Sequence, residues 1–139
     1  MDDCVFCKIL RGELPCKRVA ETRLSFAFMD IMPVSEGHTL VIPRKHVGTI
    51  GELGEEELAD LFGLVQRVST ACEAVLGASG TNLLQCNGEV AGQVVPHLHV
   101  HVIPRREGDG IQFHPPQREV GDGEINRLTE LLAEELSKS

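Results

Sequence analysis

The segment from Asn87 to Pro104 reads Asn-Gly-Glu-Val-Ala-Gly-Gln-Val-Val-Pro-His-Leu-His-Val-His-Val-Ile-Pro and carries the strongest pattern in the sequence. Its three histidines, His97, His99 and His101, alternate with apolar residues. Successive side chains of a β-strand point to opposite faces, so the histidines are predicted to share one face and the apolar residues the other. The pattern predicts a strand from His97 to Ile103 that Pro104 stops, with its apolar face in a core.

The row of imidazoles has three interpretations. It is a surface strand with incidental histidines, a metal site, or a site of nucleophilic catalysis by one imidazole beside a second that binds phosphate. Adjacent imidazoles repel one another when charged, which favours the neutral, nucleophilic form at pH 7. The preceding loop from Asn87 to Gln93 is rich in glycine, whose backbone N–H groups can approach an anion closely. Together the loop and the imidazoles favour a phosphate site with a histidine nucleophile.

The rest of the chain predicts antiparallel strands with helices set aside, an α+β domain. The predicted strands are 23–30, 38–43 and 81–86, of which the first two form an antiparallel pair. Apolar residues at helical spacing predict one helix from Glu55 to Leu76 and a second that opens at 121–123. We interpret the apolar stripes of both helices as core faces; the second stripe consists of Ile125, Leu128, Leu131, Leu132 and Leu136.

Length and charge exclude several classes of protein. The chain has 139 residues, which predicts a single domain spanning 1–139. Its 13 basic and 21 acidic residues give a net charge of −8, which argues against binding nucleic acid, so any phosphate must be held locally by neutral donors and histidines. The acidic start and the lack of a long apolar run predict neither a secretory signal nor a membrane span. Five cysteines, an odd number, predict a cytoplasmic protein with reduced or metal-bound thiols.

Three blocks of sequence, 28–33, 37–46 and 87–105, together resemble the signature of the histidine triad (HIT) superfamily of nucleotide hydrolases and transferases. The resemblance runs from Cys4 to about Gly110 and is specific because the His-x-His-x-His segment stands among the other blocks. It implies a five-stranded antiparallel sheet with two main helices, a core at about 4–110 and a C-terminal helical segment at about 123–137. It also implies a homodimer with a ten-stranded sheet and active sites near the interface.

The resemblance implies a catalytic role for four histidines. His99 would attack the α-phosphorus of a nucleotide and form a nucleotidyl-histidine intermediate, while its other ring nitrogen donates to a backbone carbonyl near His97. His101 would donate a hydrogen bond to a phosphate oxygen, and His38 would support the triad. Water would then release the nucleoside monophosphate, and neither a catalytic metal nor an organic cofactor is implied.

The implied nucleotide contacts are sorted by the part of the nucleotide they hold. They are Phe28 and Ile31 for the base, Asp30 for the ribose, and Asn87, Gly92 and Gln93 for the α-phosphate. Val94 departs from the family, since many members carry a serine or threonine there whose hydroxyl contacts phosphate; the backbone N–H of Val94 could still serve. The expected substrates are purine nucleoside 5′-phosphate derivatives: phosphoramidates, adenylates or dinucleoside polyphosphates.

The Cys4-x-x-Cys7 motif leaves three alternatives open: a redox dithiol, an inert buried pair and half of a structural zinc site. Members of the resembled family bind zinc with such a motif, a histidine after an Ile-Pro-Arg/Lys block and the first histidine of the triad. The corresponding residues here are His46 and His97, which favours structural zinc. Two competing functions remain, a zinc-dependent hydrolase that uses the histidine strand as ligands and a nucleotide-binding module without chemistry.

Overall fold

A computed structural model describes residues 3–139 and forms one five-stranded antiparallel sheet with helices on both faces. The strands are β1 (Arg18–Glu21), β2 (Ser25–Met29), β3 (Thr39–Pro43), β4 (Gly80–Gln85) and β5 (Val100–Arg105). The α-helices are α1 (Val5–Leu10), α2 (Glu55–Leu76) and α3 (Asp122–Leu136). The order across the sheet is β1-β2-β3-β5-β4, with every neighbouring pair antiparallel. The predicted α+β class and five-stranded antiparallel sheet are confirmed.

Helix α2 covers one face of the sheet and has the bounds predicted from its apolar periodicity. Three glutamates occupy its first turn, where they complement the positive end of the helix dipole. Its buried residues are Leu61, Leu64, Val65, Val68 and Cys72. They form one core with the apolar residues of the histidine segment, Leu98, Val100 and Val102. The predicted burial of the apolar row is therefore confirmed.

The opposite face of the sheet carries a second, aromatic core. The alternating side chains of β2 and β3 that point away from α2 include Phe28 and Leu40, and they pack with Phe6 of α1. The rings of Phe6 and Phe28 meet edge to face with centroids 5.5 Å apart. This face is the one on which the histidines lie, since the Phe6 ring also contacts the rings of His97 and His99.

The strand predicted for 97–103 is wrong at both ends. Regular pairing starts only at Val100, because His97 and Leu98 are diverted to bond with the carbonyls of Pro43 and Val47. The strand then continues through Pro104 to Arg105. The carbonyl of Pro104 accepts a hydrogen bond from Ser35, which precedes β3. The nitrogen of Pro104 therefore also points toward β3, but the pairing of β5 with β3 has already ended at Val102. No ladder hydrogen bond is lost there, so proline is tolerated.

The prediction that the apolar stripe of helix α3 is a core face is wrong. Every residue from 112 to 139 is exposed. Leu132 and Leu136 are 63% and 71% exposed, respectively. The stripe is amphipathic in pattern, yet within the described range 3–139 the rest of the chain does not bury it. None of the helices in that range is long and apolar enough to cross a bilayer.

Candidate active site and metal centre

His99 is held in a single tautomer by the backbone carbonyl of His97. Its Nδ1 lies 2.7 Å from the carbonyl oxygen of His97, and a carbonyl can only accept, so Nδ1 carries the proton. The lone pair of the neutral ring therefore sits on Nε2, at the opposite edge. His99 is 8% exposed and lines a cavity of about 430 Å³ together with His101. A buried imidazole with a defined lone pair beside a cavity has the arrangement of a nucleophile.

His101 is held in the opposite tautomer by a relay of hydrogen bonds that begins at a backbone amide. The N–H of Val34 donates to Nδ1 of His38 at 3.0 Å, so neutral His38 carries its proton on Nε2. That Nε2 lies 2.9 Å from Nδ1 of His101 and donates to it. The remaining nitrogen of His101 therefore carries a proton and is a hydrogen-bond donor. His99 and His101, whose ring centroids are 5.0 Å apart, supply one lone pair and one donor to the site.

The surroundings keep these rings neutral. Burial lowers the pKa of His101 to about 4, and the neighbouring His99 and His38 add to this by charge repulsion. Burial also lowers the pKa of His38, against the opposing effect of Asp30. The pKa of His97 falls for the same main reason, desolvation. For His97 and His101 this direction agrees with the prediction that the row of imidazoles favours the neutral form, and burial contributes more to it than charge repulsion.

Asp30 lies at the edge of this relay. Its Oδ2 is 3.5 Å from Nε2 of His38, and its Oδ1 accepts from the backbone N–H of Met32 at 2.8 Å. Asp30, His38 and His101 are close enough to suggest a metal site. The relay argues against one, because the lone pair of neutral His38 is already used by Val34 and its Nε2 carries a proton. Asp30 also lines the cavity, where its carboxylate can accept hydrogen bonds from a ligand.

The walls of the cavity differ in part from those expected. Phe6, Met32 and Leu40 line it, along with Val95 and the residues already named. Phe28 is 4% exposed and lies behind Phe6, while Ile31 is 84% exposed beside Met32. Sequence reasoning missed Phe6; the available signal was its position inside the Cys-x-x-Cys motif, which ties it to the site if the cysteines are anchored there.

The loop between β4 and the histidines is shaped by two glycines and one glutamine. Gly88 and Gly92 have φ values of +89° and +101°, in the region that side chains with a Cβ disfavour. The side chain of Gln93 is buried and fully used: Nε2 donates to the carbonyls of Gly48 and Val95, and Oε1 accepts from the N–H of Gly88. Gln93 therefore braces the loop, and its amide has no donor left over for a phosphate.

Asn87, Gly92 and Val94 are placed differently from Gln93. Asn87 is exposed, and its Oδ1 accepts from the N–H of Ile50 at 3.0 Å and from Gln85 at 2.8 Å, so its amide NH₂ is left to donate. Gly92 and Val94 both line the cavity. The side chain of Val94 is 89% exposed, at the entrance.

Cys4, Cys7, His46 and His97 bring four ligand atoms together. The Sγ of Cys4 lies 3.5 Å from Nδ1 of His97, and the Sγ of Cys7 lies 3.2 Å and 3.6 Å from Nδ1 of His46 and His97. The two Nδ1 atoms are 3.2 Å apart. Tetrahedral zinc with its usual bond lengths sets sulfur and nitrogen ligands about 3.5 Å apart and two nitrogens about 3.3 Å apart. The residues present therefore fit a divalent metal ion.

The ring of His97 is oriented to bind such an ion. Its Nε2 donates to the carbonyl of Pro43 at 3.0 Å, which leaves the lone pair on Nδ1, facing the cysteines. Burial, with a further contribution from Cys4, raises the pKa of the Cys7 thiol, so an ion would have to displace its proton. Four protein ligands complete a tetrahedral site, which is typical of a structural and not a catalytic zinc. The three triad rings bond to three different partners and do not converge on one ion.

The fold and the site thus define an α+β protein in which a buried imidazole lines a cavity beside a glycine-rich loop. A family model described as the HIT domain matches residues 11–108. The adenosine 5′-monophosphoramidase hnt1 of Schizosaccharomyces pombe is 42% identical over 134 residues, which cover 96% of this chain and 98% of that protein. The chain belongs to the HIT domain family, and the predicted family is confirmed.

Solved structures agree with this assignment. A hypothetical protein from Leishmania major matches with a TM-score of 0.89 and 40% identity, covering 99% of both chains. A zinc-bound histidine triad family protein from Mycobacterium smegmatis matches with a TM-score of 0.76 and 35% identity, covering 99% of this chain and 97% of that one. The names of the curated relatives also agree with the predicted class of nucleotide hydrolase.

Proposed function

We propose that this protein hydrolyses purine nucleoside 5′-phosphoramidates and related adenylates at the α-phosphate, through a nucleotidyl intermediate on His99. The observation that carries the proposal is the 2.7 Å hydrogen bond from Nδ1 of His99 to the carbonyl of His97, which leaves Nε2 as the free nucleophile. The name adenosine 5′-monophosphoramidase, borne by relatives that align over nearly the whole chain, supports the same reaction.

The first step transfers the nucleotide to the protein. Nε2 of His99 forms a bond to the α-phosphorus, and the bond from phosphorus to the leaving nitrogen breaks. The leaving amine keeps the bonding pair and takes a proton from water at the open mouth of the cavity. His101 donates its remaining N–H to a phosphate oxygen and so stabilises the charge that develops in the transition state.

The second step releases the product. Water attacks phosphorus, the bond from phosphorus to Nε2 breaks, and the imidazole regains its lone pair; a proton of the attacking water passes to solvent. Protonated or phosphorylated imidazole is a good leaving group, so no metal is needed at phosphorus. Asp30 would accept the ribose hydroxyls. Asn87 would hold the phosphate through its amide and Val94 through its backbone N–H. Gly92, whose own N–H donates to the carbonyl of Glu89, would let the phosphate approach the loop closely, while Gln93 holds the loop in shape.

The base would lie against the apolar wall of the cavity. Phe6 and Leu40 form that wall in the structure, and we extend the proposal for Phe28 and Ile31 accordingly: Phe28 supports Phe6 from behind, and Ile31 contacts the base from the edge. These contacts are apolar and favour a large, flat base, which is why we retain a purine nucleotide as the substrate.

The experiment uses adenosine 5′-phosphoramidate with the wild-type protein, His99→Ala and His114→Ala. The matched control is His114, an exposed histidine remote from the triad in sequence. We expect His99→Ala to lower the rate of AMP release by at least about 10³-fold and to abolish an adenylyl adduct trapped by acid quench, with His114→Ala unchanged. A binding module without chemistry would bind AMP and form no adduct in any variant. Turnover that survives in His99→Ala would overturn the proposal.

We further propose that Cys4, Cys7, His46 and His97 hold a structural zinc ion. The four ligand atoms and their spacing support this, and a zinc-bound member of the family is among the similar structures. When bound, the ion would supply cross-linking of α1 to the histidine segment and no chemistry at phosphorus. This also sets the protein apart from a zinc-dependent hydrolase, which would need an open coordination position.

A homodimer remains part of the proposal. Strand β4 forms one edge of the sheet and exposes Leu83 and Leu84, and α3 exposes its apolar stripe. Pairing of two copies along such an edge would give the ten-stranded sheet, and burial of the stripe would remove apolar area from water. Light scattering should give twice the chain mass of 15.2 kDa at micromolar concentration. A single-chain mass throughout that range would contradict it.

The organisation and location of the chain are proposed as they follow from the sequence. We propose one domain over 1–139 with its core at about 4–110 and a helical segment at about 123–137, a cytoplasmic location, and no nucleic-acid or membrane partner. The net charge of −8 supports the absence of a nucleic-acid partner. All five cysteines are free in the structure, which is in keeping with a reducing compartment.

A further inference from the structure

The mouth of the active-site cavity is flanked by two loops that expose apolar side chains. Ile31 and Met32 stand on the loop that follows β2, and Val90 and Val94 stand on the glycine-rich loop. Met32 is 82% exposed and Val94 is 89% exposed, and both line the cavity. Single exposed apolar residues are common, but Met32 and Val94 are both largely exposed and both line one cavity, which makes its mouth suited to an apolar ligand group.

The same two loops lack positive charge. Segments 30–36 and 87–95 contain no lysine or arginine, and they carry the carboxylates of Asp30, Glu36 and Glu89. Among the described residues, those that line the cavity likewise include no cationic side chain. A polyphosphate or carboxylate at the mouth would face these acids without a partner, and the net charge of −8 adds to the repulsion.

The direction of the reaction places the leaving group at this mouth. In an in-line displacement, the leaving group departs on the side of phosphorus opposite to the nucleophile. His99 is buried, so the side opposite its Nε2 is the open side of the cavity. The departing group therefore leaves past the exposed residues of the cavity lining, Met32 and Val94.

We propose that the mouth selects nucleoside phosphoramidates and adenylates whose leaving group is uncharged and apolar, and rejects leaving groups that carry carboxylates or further phosphates. This inference rests on the proposed function and narrows it to one class of leaving group. The bonds that form and break are those of the two steps above, with water supplying the proton to the amine and the oxygen to phosphorus. The apolar group contacts Met32 and Val94 and is released into solvent.

The test compares two substrates that differ by one carboxylate: N-benzyl and N-(4-carboxybenzyl) adenosine 5′-phosphoramidate. They share the ring and the type of amine, so their chemical reactivity is closely matched. We expect kcat/KM to be about tenfold or more higher for the benzyl compound, and diadenosine tetraphosphate to be poorer than either. Equal kcat/KM values within about twofold for the matched pair would overturn the inference while leaving the proposed function intact.

Two variants assign the selectivity to the mouth. Val94→Lys should raise kcat/KM for the carboxybenzyl substrate about fivefold or more and lower it for the benzyl substrate. Val75→Lys is the matched control, since Val75 is an equally exposed valine on α2 outside this cavity, and its substrate ratio should equal that of the wild type. An unchanged ratio in Val94→Lys would contradict the inference.

Binding measurements test the proposed selectivity of the mouth separately from the proposed reaction. The two compounds are titrated against His99→Ala, which cannot turn them over, and the benzyl compound should bind about tenfold more tightly. Equal dissociation constants would overturn the selectivity of the mouth. Absence of turnover with every substrate in the wild-type protein, together with selective binding, would instead overturn the proposed function and preserve the selectivity.

Discussion

The helices at the two ends of the chain differ in how they pack: the short helix α1 is packed into the protein, whereas the longer helix α3 is not. Helix α1 has six residues and buries Phe6 and Cys7, whereas all fifteen residues of α3 are exposed. Both have apolar positions, and α3 has the clearer periodicity. The difference lies in the partners: Cys4 caps α1 and Cys7 lies within it, and their thiols meet two imidazoles, whereas α3 carries only an apolar stripe. Apolar periodicity shows that a face can be covered, and specific polar ligands determine where a segment is anchored.

The largest effect should come from breaking the anchor of α1. In Cys4→Ser/Cys7→Ser, two of the four clustered ligand atoms are weakened, so we expect loss of bound zinc. The free energy of unfolding should fall on the order of 4 kcal/mol, the value for a ligand present at about 1,000 times its dissociation constant. Elemental analysis and chemical denaturation in zinc-containing buffer measure both. Cys16→Ser/Cys86→Ser, outside the cluster, should keep one ion per chain, and a double variant of Cys4 and Cys7 that also keeps it would refute the zinc site.

The next effect should come from Phe6, which α1 inserts beside His99, the proposed nucleophile. Its ring centroid lies 5.2 Å from that of His99, edge to face, and its side chain lines the cavity. Phe6→Ala should cost about 3 kcal/mol of unfolding free energy, the lower end of the usual range for a buried phenylalanine, because its side chain borders a cavity. Phe6→Leu keeps most of the volume and tests the contact with the imidazole: we expect reduced kcat with zinc content unchanged. Phe113→Leu, on a ring remote from the cavity, is the control, and equal kcat in both leucine variants would contradict a positioning role.

Acid should lower the free energy of unfolding through His101. Its pKa is about 4 in the folded protein against an ordinary value of 6.5, so the unfolded chain binds a proton more readily between these values. Stability from this group is thus fully present above pH 6.5 and is lost as the pH falls toward 4. The groups facing it are His99, His38 and Asp30. Denaturant unfolding at pH 6.5 and 4.5 should show a smaller loss in His101→Asn than in the wild type; equal losses would contradict the shifted pKa.

The smallest effect on stability should come from α3. Leu128→Glu/Leu132→Glu changes two exposed residues, so the unfolding free energy of the single chain should stay within about 0.5 kcal/mol. Light scattering should at the same time show a shift from the dimer mass to the chain mass. A loss of several kcal/mol measured at concentrations where the wild type is a single chain would show that α3 is anchored after all. An unchanged dimer mass would remove α3 from the proposed interface.

Sequence predicted the features that depend on local pattern. Helix α2 was predicted from Glu55 to Leu76 because its apolar and polar residues alternate at helical spacing over many turns. The two strands around 23–30 and 38–43 and the family itself were likewise accessible. Strand β1 was missed because it has four residues, two of them charged, and lies at a sheet edge with an irregular register. A short edge strand leaves almost no periodic signal.

The details of the site depended on contacts between distant residues. The buried amide of Gln93 bonds to Gly48, 45 positions away, so its use as a brace is invisible in the loop sequence. The relay from Val34 through His38 to His101 spans a larger separation, with His38 and His101 63 positions apart. The tautomer of each ring follows from which backbone group it meets, and that is a property of the folded chain. The resemblance did imply the hydrogen bond from His99 to a carbonyl near His97, which the structure contains, whereas the roles of Gln93 and Phe6 could be read only from the folded chain.

His97 serves two neighbours at once: its ring turns toward the cysteines and its carbonyl accepts from His99. A graft of the His-x-His-x-His segment into another scaffold would carry the imidazoles but lose the support that aims them. The smallest transferable module therefore includes the N-terminal Cys-x-x-Cys segment and the turn at His46. A redesign of the histidine segment should therefore keep the Cys-x-x-Cys segment and the turn at His46 together with it.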